Sequence, residues 1–131
     1  MTNPLVLSSL VFSTNMIMAQ FKGETIYSFL FGLLTVSSLF FYVFPSLYTN
    51  VADKVAVLCV VCYGAYQLFL KSSSENQPYV AMIVFSFLAC LGLFFYGYFT
   101  QQYCYDPDLG EWYHVLLHFI SSVGHHAILF L

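Results

Sequence analysis

The chain has 131 residues, 60% of them apolar or aromatic and only 7% charged, with a mean hydropathy of +0.81. A soluble domain carries about 25% charged residues to stay dispersed, so this composition excludes one and points to an integral membrane protein. Lys22, Lys54 and Lys71 are the entire basic complement, which leaves no stripe for phosphates and excludes a nucleic-acid interface.

A membrane helix needs about 20 mostly apolar residues, and with no water to satisfy the backbone a span of that kind is helical. Five segments meet the test: residues 4–21, 25–44, 51–70, 78–100 and 112–131. The first is the most polar, holding Ser8, Ser9, Ser13, Thr14 and Asn15. It has the length of a secretory signal, but no Lys or Arg precedes it, and a signal carries a positive leading region. The connections at 22–24, 45–50, 71–77 and 101–111 are short and polar. No linker separates two domains, so residues 1–131 read as one all-α bundle of about five transmembrane helices.

Lys22 and Lys71 lie in the first and third connections, whereas the fourth has Asp106, Asp108 and Glu111 and no base. The positive-inside tendency places the first and third in the cytoplasm. The N-terminus then faces outward or into a lumen, and the C-terminus is cytoplasmic. Tyr42, Tyr48, Tyr98, Tyr103, Tyr105, Trp112 and Tyr113 fall where this topology puts the outer interface, as an aromatic belt would. Cys59, Cys62 and Cys90 lie within apolar runs and Cys104 in a polar loop. Cys59-Val-Val-Cys62 has the form of a redox or zinc motif but lacks the second pair that a zinc site needs.

Polar groups inside a span are costly, so each is a candidate for function. The fifth segment carries all four histidines. At 100° per residue, His114, His118, Ser121 and His125 fall within about 60° of one another, while His126 points elsewhere. His114-x-x-x-His118 sets two imidazoles one turn apart, a spacing that suits two ligands on one metal. Buried histidines hydrogen-bonded to neighbouring helices would produce the same pattern. Ser121 and His125 form an additional polar site further along the stripe. Ser38 and Tyr42 share a face near the end of the second segment, and Asp53 begins the third. In the five-helix topology these residues meet His114 and His118 near one membrane face. Each also has an ordinary account: Asp53 favoured by a helix dipole, Tyr42 in the aromatic belt, Ser38 as a packing hydroxyl.

These residues, at these spacings, resemble the CREST superfamily of seven-helix membrane hydrolases, which includes alkaline ceramidases and the progestin and adipoQ receptors. The family pattern is Ser-x-x-x-His late in the second helix, Asp early in the third, and His-x-x-x-His at the start of the last. Ser38, Tyr42, Asp53, His114 and His118 stand at the matching positions. The N-terminal half, from Leu7-Ser8-Ser9-Leu10-Val11-Phe12 through Lys22, Glu24 and Tyr27, is most similar to the branch containing myomaker and a GPI-processing phospholipase. His118 followed by Gly124 and a further His is shared with the adipoQ-receptor and haemolysin III pattern. Two departures stand out. Tyr42 replaces one of the three imidazoles that hold zinc in active relatives, and the chain has five helices where the family has seven.

The resemblance implies two functions. One is a zinc-dependent lipid amidase or esterase. His114 and His118 would bind the ion, and a third ligand would come from Asp53 or elsewhere. Asp53, if not a ligand, would be the general base, with Ser38 or Tyr42 donating to the oxyanion. His125 lies about 10 Å deeper than His118, too far to share that ion. The other function is a non-catalytic membrane scaffold, comparable to the fusion and receptor members, with a degenerate metal site. Under both, the expected partners are membrane lipids and the helices of a second copy or another protein. A channel or small transporter is a third option, in which the histidine stripe would relay protons.

Overall fold

The computed structural model describes residues 4–44, 46–101 and 107–131, with side chains at 6–44, 46–96 and 114–131. Tyr103, Cys104, Tyr105 and Asp106 of the expected outer loop lie outside the described residues, as do the side chains of Tyr98, Asp108, Glu111, Trp112 and Tyr113. The elements are α1 (Pro4–Ser9), α2 (Val11–Phe21), α3 (Thr25–Val43), α4 (Leu47–Lys71), α5 (Gln77–Gln101) and α6 (Pro107–Leu129). No strand occurs among the described residues. The helices α3 and α4 and the stretch Gln77–Tyr96 of α5 are each long and apolar enough to cross a membrane, and Val6–Phe21 is apolar but shorter. Large apolar side chains such as Phe29, Phe40, Leu58, Phe69, Phe85 and Leu88 face outward. In water such a surface would aggregate, whereas in lipid it costs nothing. The chain is an all-α integral membrane bundle.

Three boundaries differ from the sequence expectation. The first segment, expected as one helix over 4–21, is split at Leu10. Leu10 keeps right-handed helical angles, but the N–H groups of Leu10 and Ser13 bond three residues back, to Leu7 (3.2 Å) and Leu10 (3.0 Å). That is the tighter 3₁₀ spacing. Ser13 Oγ donates to the Leu10 carbonyl at 2.5 Å and Thr14 Oγ1 to that of Val11 at 2.6 Å. Hydroxyls competing for the ladder carbonyls tighten the turn here. The helix α4 begins at Leu47 instead of 51. Ser46 and Thr49 form a reciprocal cap, each side-chain oxygen accepting from the other's N–H, which satisfies donors that the helix start would otherwise orphan. Asp53 therefore sits in the second turn and does not begin the helix. The helix α6 starts at Pro107, five residues before the expected 112. Proline suits a first helical position because its missing N–H has no partner there.

Between α2 and α3, Gly23 takes φ +75, a left-handed conformation open to glycine without strain. Its N–H bonds to Gln20 (3.1 Å) and that of Glu24 to Ala19 (2.9 Å), which is a Schellman closure. The chain reverses there, and contacts fix the remaining directions. Ser8 meets His118 and Asn15 meets Ser122, so the first helix runs parallel to α6. Tyr42 meets His114 and Tyr27 meets His125, so α3 runs antiparallel to it. The helix α4 is parallel to α6, with Lys71 donating to Glu24 and to the Ile128 carbonyl (3.3 Å). Lys22 lies over the Phe130 ring at 4.4 Å. Lys22, Glu24, Lys71 and the end of α6 thus occupy one end of the bundle, and Tyr42, Asp53 and His114 lie toward the other. The helix α5 packs mainly on α6, and only 6% of its apolar stretch is buried.

Candidate functional site

A stripe at helical spacing aims polar side chains inward from three helices. On α3 the buried positions Tyr27, Phe31, Leu34 and Ser38 recur every three to four residues, and Tyr42 continues the row one turn on. On α4, Asp53, Val60 and Gly64 are buried. On α6 the buried row is Val115, His118, Ser122 and His125, with Ile128 and Leu129 beyond. Ser122 takes the place expected for Ser121, which is half-buried. The row centres near His118, and at 100° per residue Ser122 lies about 40° from it against about 60° for Ser121.

Two groups of polar contacts form around His118. In the first, Tyr42 Oη lies 2.8 Å from His114 Nε2 and 3.5 Å from His118 Nε2. The two imidazoles stand edge to face with centroids 4.7 Å apart, and His118 Nδ1 meets Ser8 Oγ at 2.7 Å. Ser8 and His118 are 3% and 5% exposed. In the second group, Ser38 Oγ donates to Asp53 Oδ1 at 2.6 Å, and Lys54 Nζ donates to Asp53 Oδ2 at 3.1 Å. Asp53 is buried, whereas Lys54 reaches outward and lies over the Phe41 ring at 5.4 Å. All five residues singled out from the sequence, Ser38, Tyr42, Asp53, His114 and His118, are in this region. They join as a pair and a trio.

His125 belongs elsewhere. Its Nδ1 bonds to Tyr27 Oη, its ring packs edge-on against Phe31 (5.1 Å), and Gly64 of α4 lies against it. Phe12, edge-on to His118 at 5.2 Å and stacked with Phe31 at 6.5 Å, fills the space between the two histidine centres. His126, off the stripe as expected, meets Thr14 Oγ1 at 3.0 Å.

Among the described residues the donor set around His114 and His118 is two imidazoles and the Tyr42 phenol. Among the described residues no three histidine, cysteine, aspartate or glutamate side chains gather around one point that could hold a metal ion. Asp53 is engaged by Ser38 and Lys54, and His125 by Tyr27. Among the described residues neither Asp53 nor His125 joins His114 and His118 as a third ligand, and Tyr42 Oη lies at the convergence of the two Nε2 atoms. A phenol binds zinc poorly near neutral pH because it ionises near 10.

Sequence reasoning passed over Ser8, Asn15 and Tyr27 as site or network residues. Asn15 Nδ2 donates to the Ser122 carbonyl at 3.0 Å, and Ser122 Oγ donates back to Asn15 Oδ1 at 2.5 Å. The signal was present in the first segment, where Ser8, Phe12, Asn15 and Ala19 recur at steps of four, three and four residues and are all buried. No family model, curated protein or solved structure matches the chain. Fold and site together define a helical membrane bundle with a tyrosine–histidine centre between α3 and α6.

Proposed function

We propose that the chain is a multi-pass membrane scaffold of CREST-like design, carrying a degenerate metal site in which the Tyr42 phenol stands in for a third imidazole. The carrying observation is that Tyr42 Oη lies within 3.5 Å of both His114 Nε2 and His118 Nε2. One phenol oxygen there links α3 to α6 where a metal ion would otherwise do so. Membrane lipids are its immediate partners. The end bearing Lys22 and Lys71 faces the cytoplasm under the positive-inside tendency, which puts the centre in the outer or lumenal half. The contacts that bring Lys22 and Lys71 to one end support this orientation.

A second reading, a zinc-dependent lipid amidase or esterase, is favoured by the same convergence and by the Ser38–Asp53 pair beside it. Zinc there would supply an activated water and a polarised carbonyl. Of this chain's own groups, Asp53 would take a proton and Ser38 Oγ would donate to a developing oxyanion.

Elemental analysis of detergent-purified protein, beside the His114→Ala/His118→Ala double variant, separates the two. The scaffold reading expects folded protein without stoichiometric metal. One zinc per chain, lost in the double variant, would overturn it in favour of the hydrolase.

A further inference from the structure

We infer that Ser8, on the first helix, is a positioning residue that holds His118 in the Nδ1–H tautomer, so that its Nε2 lone pair faces Tyr42 and His114. The contact joins residues 110 apart in sequence, spans 2.7 Å and is buried on both sides.

Hydrogen-bond counting assigns the proton. Nδ1 has a well-formed partner at 2.7 Å. Nε2 has Tyr42 Oη at 3.5 Å, at the outer limit of a useful hydrogen bond. In a dry interior an N–H left without a partner is rarer and more costly than an under-used acceptor. The proton therefore belongs on Nδ1, donated to Ser8 Oγ, with the lone pair on Nε2. The His118 Nε2 lone pair then faces Tyr42 Oη, whose shorter contact is with His114 Nε2 at 2.8 Å. An oxygen that fixes the far nitrogen of a site histidine sets which face of the ring is available for chemistry. Here that oxygen comes from the most polar of the five segments. Asn15 and Ser122, bonded twice one turn deeper, hold the two parallel helices in the register that delivers it.

The inference concerns the same centre as the proposed scaffold but does not depend on whether metal binds there. Nitrogen-15 NMR of histidine-labelled full-length protein in detergent micelles reads the tautomer directly, with His118→Gln used to assign the signal. Wild-type protein is expected to show His118 protonated at Nδ1. Ser8→Ala should shift the tautomer ratio about fivefold toward Nε2–H, the scale that one neutral hydrogen bond supports. Ser8→Thr, which keeps a hydroxyl on the same backbone, should restore it. A Ser9→Ala control, at the adjacent buried serine, should leave the signal unchanged. Nε2–H in the wild type, or an unmoved ratio in a folded Ser8→Ala variant, would overturn the inference. Metal content, measured separately, tests the scaffold proposal, so each can fail alone.

Discussion

Among the described residues, tyrosine meets histidine at two places on the same pair of helices, and the two are built differently. Tyr27 and His125 are sealed: Tyr27 is wholly buried, stacked on Phe31 at 4.8 Å, and roofed by Gly64. Tyr42, His114 and His118 sit among hydroxyls and a carboxylate, and Tyr42 and His114 are only half-buried. The same two residue types therefore serve packing in one place and form an adaptable polar centre in the other. What separates them is the third party: a glycine surface at the lower contact, a second imidazole and Ser8 at the upper.

Filling the sealed contact should do the most damage. A Cβ on Gly64 would lie 2.7 Å from His125 Cε1 and 3.1 Å from Tyr27 Oη. Gly64→Leu should cost about 3 kcal/mol, the upper end of overpacking, seen as a large drop in Tm in detergent. An unchanged Tm would mean that the lower contact has room to open. Next comes Asn15→Ala, which removes two buried interhelical bonds. These average about 0.6 kcal/mol each in membranes and reach about 1.7, so about 1–2 kcal/mol is expected in a denaturant titration.

The two phenols test the comparison directly. Tyr27→Phe should cost about 1 kcal/mol, because His125 loses its buried partner while the ring stack remains. Tyr42→Phe should cost less, about 0.5 kcal/mol, because its surroundings can rearrange. A Tyr42→Phe variant less stable than Tyr27→Phe would reverse the roles assigned to the two contacts.

The histidine stripe and the five apolar segments were legible because each is periodic within one stretch of chain. The directions of the first helix, α3 and α4 relative to α6 could also be anticipated from short connections. What could not be read was pairing between the first helix and α6. Ser8 and Asn15 register in the sequence as polarity in an apolar run, and nothing local names their partners. The choice of Ser122 over Ser121 turns on some 20° of helix rotation, a quantity that neighbours decide. The break at Leu10 was missed because Ser13 and Thr14 look like tolerated helix residues until their hydroxyls take carbonyls from the ladder.

The parallel pairing of the first helix with α6 also bears on how the protein is made. Asn15 and Ser8 find their partners 107 and 110 residues later in the chain. At about 5–20 residues per second of translation, the first helix waits on the order of 5–20 s between emerging from the ribosome and meeting α6. During that interval its amide and hydroxyl must be sheltered by the insertion machinery, by water or by other helices of the nascent chain. Biogenesis of this bundle should accordingly be sensitive to anything that delays α6, well before any defect appears in the finished fold.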